Sequence, residues 1–302
     1  MLPFARITII GLGLIGSSVA RAVQATMPTV RLTGYDASPE VRERVRELGF
    51  VDDVTDTPGA SVVDADLVIL CVPVGAMGAA AAEIADDLPA DAIVSDVGSS
   101  KASVLAAMAE ALPGATIIPA HPVAGTENSG PDAGRASLFA GRWCILTPAE
   151  DGRSEDAERV AAFWSGLGAK AELMDPRHHD LVLAVTSHLP HLIAYTIVHT
   201  ASDLERVTES EVIKYSAGGF RDFTRIAASN PTMWRDIFLA NKEAVLDMLQ
   251  RFTEDLTFLQ RAIRQDDGDT LHDLFTRTRA IRRSIVEQGQ DVAKADFGRA
   301  GE

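Results

Sequence analysis

A chain of 302 residues, 46% hydrophobic and 24% charged, holds enough apolar side chains for one large core or two ordinary ones, which excludes a disordered polymer. Its net charge of −15 repels nucleic acid and anionic membrane surfaces on average, so an anionic ligand needs a local cationic group to be held. Two cysteines, Cys71 and Cys144, supply no disulfide framework and point to a reducing compartment, the cytoplasm.

The N-terminus runs straight into a short apolar strand, unlike a signal peptide. The longest apolar stretch, from Leu67, is interrupted by Pro73, Gly75 and Gly78, so no membrane span is expected. Up to about residue 175, β-branched runs alternate with Ala-rich periodic segments, the pattern of parallel strands joined by crossover helices. Strands are predicted at Ile7–Ile10, Arg31–Tyr35, Leu67–Val72, Ala92–Asp96, Thr116–Ala120 and Trp143–Leu146. Helices are predicted at Ser17–Ala25, Glu40–Leu48, Met77–Leu88 and Ala102–Leu112. Most of these strands are nearly all apolar, as strands covered on both faces must be.

Gly11-Leu12-Gly13-Leu14-Ile15-Gly16 follows the first strand and opens a helix. The first glycine permits a tight turn, the second admits a pyrophosphate to the backbone, and the third lets helix and strand pack closely. The helix start then offers unpaired N–H groups and a partial positive charge to the phosphates. Asp36 ends the next strand about 20 residues on, where a carboxylate accepts the ribose 2′-OH and repels a 2′-phosphate, favouring NAD over NADP. Ser38, Arg42 and Arg44 are near enough in sequence to keep NADP open. The expected fold is therefore α/β and Rossmann-like. Val72 and Pro73, at the end of a strand in the same sheet, should lie beside the nicotinamide. Cys71, without a neighbouring base in sequence, reads as an inert buried thiol.

Hydride removal from a carbinol needs a group that holds the hydroxyl proton, and a neutral histidine suits that task. His121, after the strand Thr116–Ala120, stands at the address for such a base. Ser99 follows the preceding strand and could hydrogen-bond substrate or histidine; for Ser99 and Lys101, helix capping and surface solvation are the plainer reading.

At Asp175-Pro176 the pattern turns helical, with Asp as N-cap and Pro at the first helical position. We expect two domains, 1–175 for the dinucleotide and 176–302 for substrate and dimerisation. At 100° per residue, Asp180, Ser187, His188, His191 and Tyr195 share one arc of an otherwise apolar helix. Such a polar line faces a site or an interface. Pro190 should kink or locally open that helix. His188 and His191 have metal-ligand spacing, yet no third ligand is evident and no metal is expected. Arg221 and Arg225, four apart after Gly218-Gly219, could grip a carboxylate through paired hydrogen bonds or form surface ion pairs with Asp222 or Asp236. Val245, Leu249, Phe252, Leu256, Leu259 and Ile263 form a heptad-like stripe, and Leu271, Leu274, Phe275, Ile281 and Ile285 another. These suit a homodimer interface or an internal core.

Four blocks carry a resemblance. Asp96-Val97-Gly98-Ser99-Ser100-Lys101, His121-Pro122-Val123-Ala124-Gly125-Thr126-Glu127, Ser187-His188-Leu189-Pro190-His191 and Phe223-Thr224-Arg225-Ile226-Ala227 closely resemble the prephenate/arogenate (cyclohexadienyl) dehydrogenases, in the family's order and across nearly the whole chain. The resemblance implies NAD-dependent oxidative decarboxylation of prephenate, arogenate or both in tyrosine biosynthesis. It further implies His121 on the ring hydroxyl, Ser99 assisting, Arg225 on a carboxylate, and His191, Glu127, Thr126 and His188 around the same pocket. Trp234 is similar to a family aromatic near that pocket, or belongs to the core. The competing expectations are a β-hydroxyacid dehydrogenase or imine reductase type of enzyme, and a non-enzymatic NAD-binding regulator.

Overall fold

The computed structural model describes residues 3–126, 128–149, 155–205 and 218–287; Glu127 and the tail from Gln288 lie outside them. The chain divides into two compact units, Met1–Pro190 with Ala228–Val245, and His191–Ala227 with Leu246–Glu302. The helix that begins at Pro176 therefore starts within the first unit, beyond the sequence-based boundary at residue 175.

The first unit is built on six strands: β1 (Arg6–Ile10), β2 (Arg31–Tyr35), β3 (Asp53–Val54), β4 (Leu67–Leu70), β5 (Ile93–Asp96) and β6 (Thr116–Ile117). All pair in parallel in the order β3-β2-β1-β4-β5-β6, a Rossmann-like doubly wound sheet whose order reverses between β1 and β4. Successive side chains of the central strands go to opposite faces. Ile7, Ile9, Leu67, Ile69 and Ile93 join Phe139, Phe163 and Trp164 on one side. Ile10, Val68, Leu70 and Val94 join Met77, Val104 and Met108 on the other. Both faces are covered, which is why these strands read as unbroken apolar runs.

The strand expected over Thr116–Ala120 is two strands in two sheets. Ile118 still donates its N–H to Val94 O at 2.9 Å, but Pro119 has no N–H to continue the ladder. The chain leaves there and forms β7 (Ala120–Pro122), antiparallel to β8 (Trp143–Leu146), which pairs in parallel with β9 (Lys170–Leu173). His121 thus sits inside a strand of a small second sheet, opposite Ile145, and not at the end of the main-sheet strand. Two strands escaped the sequence pattern, β3 because it has only two residues and β9 because its Lys-Ala-Glu-Leu edge is mostly exposed. The helix expected to reach Leu88 ends at Ala82.

From Pro176 the chain is helical. Asp175 caps the first turn, accepting the His178 N–H at 2.8 Å, with Pro176 at the first helical position as expected. The opening expected at Pro190 is a π turn over Ala184–His188, within reach of the carbonyl that the proline leaves without its i→i−4 donor. That turn shifts the phase of everything after it by about one residue, so the polar arc from Asp180 to Tyr195 is not one continuous line. By length and composition the run Pro176–Asp203 could cross a membrane, a feature that the sequence reading missed. Its N-terminal part, however, carries buried Asp180 and His188 hydrogen-bonded to other elements of the first unit.

The second unit, taken by itself, holds His191 on the helix Leu189–Glu205, Arg221 on the short helix Gly218–Thr224, and Arg225 at the start of a 3₁₀ turn, Arg225–Ala228. The 3₁₀ turn begins at Arg225 itself, so the three residues between the two arginines are α-helical. The heptad-like stripe lies on one long helix, Lys242–Arg264, and the final stripe on Gly268–Glu287; the Ile285 side chain is outside the described ones. Leu256, Phe258, Ile263, Phe275 and Ile281 are exposed in the single chain.

The fully buried Trp164 meets Phe139 and Phe163 edge to face, with ring centroids at 5.3 Å and 5.5 Å. Trp164→Ala should lower the free energy of unfolding by about 3–5 kcal/mol, read from the denaturant midpoint. A loss below about 1 kcal/mol would mean that this aromatic cluster does not close the core.

Candidate active site

Ile10, Leu70 and Asp96 stand in register across β1, β4 and β5, so the loops that follow them emerge at one carboxyl edge. The glycine loop is the first. Gly11 has φ of 93°, and a side chain there would meet Cys71 O at 2.7 Å. At Gly16 an added Cβ would fall 2.0 Å from Gly11 O. Gly13 differs: nothing lies within 4 Å of its missing Cβ. The outer two glycines are thus set by close packing, while the middle one faces open space at the start of the helix Leu14–Thr26, where no side chain caps the first turn. This arrangement fits a dinucleotide pyrophosphate.

Asp36 follows β2 beside that loop. One carboxylate oxygen accepts the Leu12 N–H at 2.8 Å and the other accepts the Ser38 N–H at 2.9 Å. The neighbouring cations are engaged elsewhere: Arg42 donates to the carbonyls of Asp36 and Ala37, and Arg44 pairs with Asp132 and Glu47. Ser38 caps its own helix. Among the described residues near Asp36, these groups are spoken for by protein partners, which suits a ribose diol better than a 2′-phosphate. Val72 and Pro73 follow β4 against the same loop. Burial, with Asp96 second, holds the Cys71 thiol well above its ordinary range, and both cysteines are free, so the inert reading stands.

The loop after β5 carries Ser99, half buried, and then Lys101, which is wholly buried and not the solvated side chain expected. Its ammonium pairs with Asp96 and donates to Ala120 O at 2.8 Å, tying the main sheet to the strand of His121. Burial pushes the Asp96 carboxyl up and the Lys101 ammonium down, and their attraction opposes both shifts. Asp180, 79 residues further along, caps the following helix: its two carboxylate oxygens accept the Lys101 N–H at 2.7 Å and the Ala102 N–H at 2.9 Å.

His121 is buried, and its Nδ1 lies 2.8 Å from Nε2 of His179. Nδ1 of His179 lies 2.9 Å from Asp180 Oδ1. Burial, then His179, Lys101 and His188, hold the His121 pKa well below its ordinary value, so the ring is neutral at pH 7. The sequence pattern had not singled out His179, because the adjacent His178 is exposed and nothing local tells the two apart. His188 is fully buried; Asn241 faces its Nδ1 at 3.1 Å and Trp234 meets its ring edge to face at 6.1 Å. Trp234 is thereby part of this packed cluster. Thr126 is exposed and its hydroxyl accepts the Asn128 N–H; His191 and Arg225 belong to the second unit.

An open phosphate cradle at the carboxyl edge of a doubly wound sheet, and a neutral imidazole buried on the small second sheet, define an oxidoreductase of the dinucleotide-binding class. Comparison with known proteins narrows the class. Residues 19–173 match the model of the prephenate dehydrogenase nucleotide-binding domain, and residues 175–277 that of the prephenate dehydrogenase dimerization domain. The cyclohexadienyl dehydrogenase of Zymomonas mobilis is 47% identical over 285 residues, covering 94% of this chain and 97% of that protein. The prephenate dehydrogenase of Bacillus subtilis is 34% identical over 281 residues, covering 92% and 76%. Among solved structures, prephenate dehydrogenase from Aquifex aeolicus in complex with hydroxyphenyl propionate and NAD+ superposes with a TM-score of 0.87 at 34% identity, covering 93% of this chain and 98% of that one. Synechocystis arogenate dehydrogenase gives 0.78 at 27%, covering 92% and 99%. The chain belongs to the prephenate dehydrogenase family.

Breaking the buried pair on one side should cost more than removing it. Lys101→Met leaves Asp96 uncompensated and should lower stability by about 3–5 kcal/mol, while Lys101→Met with Asp96→Asn should regain more than half of that. Equal stabilities for the single and double variants in urea melts would show that the pair is not coupled.

Proposed function

We propose that this chain catalyses the NAD-dependent oxidative decarboxylation of prephenate to 4-hydroxyphenylpyruvate, of arogenate to tyrosine, or of both. The observation that carries the reading is His121, a buried imidazole kept neutral on the strand that Lys101 ties to the dinucleotide-binding sheet. Gly11, Gly13 and Gly16, with the amides of Leu14 and Ile15, would hold the pyrophosphate, Asp36 the adenosine ribose, and Val72 and Pro73 the nicotinamide side. When bound, the dinucleotide supplies the hydride acceptor. His121 takes the proton of the ring hydroxyl as the C–H hydride departs. Loss of the ring carboxylate as CO2 then aromatises the ring, chemistry that requires no metal.

Ser99, half buried, is assigned to the substrate hydroxyl; the hydrogen-bond partner of the imidazole itself is His179. Arg225 is assigned to a substrate carboxylate, where its paired donors offset the acidic background of the chain. His191, Thr126 and Glu127 complete the substrate set by resemblance. Full burial gives His188 the task of holding the wall with Asn241 and Trp234, without touching substrate. The exposed apolar side chains of the two last helices suit a homodimer interface, in keeping with the dimerization model over residues 175–277. We place the enzyme in the cytoplasm.

Purified protein with NAD and either cyclohexadienyl substrate should release NADH and CO2 in equal amounts, faster than with NADP. NADH without CO2 overturns the reading. His121→Asn should lower kcat by about 10²–10⁴-fold while NAD affinity holds. An unchanged rate would remove His121 from the chemistry. Because burial depresses its pKa, the neutral base persists as pH falls through 6.5, and kcat should drop only at lower pH.

A further inference from the structure

We propose that His179 and Asp180 are positioning residues that fix the tautomer of His121, so that its Nε2 is the atom that takes the proton. This deepens the function proposed above and rests on it for the identity of the reaction. The tautomer itself is a property of the folded chain and can be read without substrate.

The logic starts at Asp180. Its Oδ1 accepts the Lys101 N–H at 2.7 Å, and its Oδ2 accepts the Ala102 N–H at 2.9 Å. A carboxylate committed to accepting at both oxygens has no proton to give. His179 Nδ1, 2.9 Å from that same Oδ1, must therefore be the donor. Burial lowers the His179 pKa even against the pull of Asp180, so this ring carries one proton. With Nδ1 protonated, His179 Nε2 is a bare acceptor. It lies 2.8 Å from His121 Nδ1, and two bare nitrogens at that distance would repel. His121 Nδ1 must then hold its single proton, which leaves the lone pair on Nε2. One buried carboxylate thus dictates two tautomers in series. Beside His179, Lys101 and His188 also act on His121, and both disfavour a second proton on its ring.

During turnover, His121 Nε2 gains the hydroxyl proton and the ring becomes an imidazolium. Its Nδ1–H then donates to His179 as a charge-assisted bond, with Asp180 next in line, so the positive charge forms in a setting already arranged for it. Neither helper needs to touch substrate.

The test is ¹⁵N NMR of histidine-labelled full-length protein at pH 8, with the His121 signals assigned by their loss in His121→Gln. The expected spectrum has protonated Nδ1 and bare Nε2 at His121; the opposite tautomer overturns the proposal. Asp180→Asn presents an amide that can donate to His179, allowing the whole series to invert. The Nε2–H tautomer of His121 should then rise and kcat fall by about 10²–10⁴-fold, with NAD affinity unchanged. His179→Leu should lose kcat similarly, whereas His179→Gln keeps a carbonyl acceptor for His121 and should restore at least a tenth of the wild-type rate. Should Asp180→Asn fail to fold, the wild-type spectrum and the Leu/Gln pair at residue 179 still decide. A rate loss with the His121 tautomer unchanged, or equal rates for Leu and Gln, makes the role structural only and overturns the proposal. Wild-type protein inactive on both substrates would sink the functional reading while leaving the tautomer result intact.

Discussion

The carboxylate of Asp180 rests on the first amides of the helix Ala102–Ala111, and much of the site is referred to that contact. A helix start carries unpaired N–H groups and a partial positive charge, so a buried anion placed there is stabilised without a cationic partner. The same carboxylate meets His179, and through it His121. Its backbone carbonyl accepts from Asn241 at 2.7 Å, whose amide also faces His188. The helix Ala102–Ala111, the strand of His121 and the returning helix Pro231–Ala240, with Asn241 as its C-cap, are thereby joined at one residue.

Around that anchor the burial of charge is systematic. Lys101 and Asp96 are wholly enclosed and pair with each other, while two nearby imidazoles are held neutral by the same lack of water. In a chain of net charge −15, an exposed histidine would sit in a field that favours its protonation. Enclosing the ring beside a lysine reverses that tendency locally. An imidazole neutral at physiological pH is obtained by position, against the overall charge of the molecule.

Parts of this were legible in the residues themselves. The glycine loop and Asp36 follow a local rule, because a strand, a tight turn and a helix start are all contained in one short segment, and the structure places them as the motif predicts. Asp175-Pro176 as a helix start and the opening before Pro190 were equally local. The strand at Thr116 was misjudged where Pro119 sends the chain into another sheet, since the pairing partner, Trp143–Leu146, lies far along the sequence. Lys101 was misread because its burial depends on Asp96 and on Ala120 of a different strand. His179 was passed over because helical position alone cannot show which of two adjacent histidines turns inward.

Sequence alone determined the alternating strands and helices, the phosphate loop with its acidic partner, and the four motif blocks that mark the family. Each depends on residues within a few positions of one another, where backbone geometry and side-chain period leave little choice. Only the tertiary structure decided which imidazole stands behind His121, which carboxylate caps the helix after β5, and that the lysine of that loop is buried. Those contacts join residues 58 and 79 positions apart, and the packing of separate elements, which no local pattern encodes, brings them within hydrogen-bond distance.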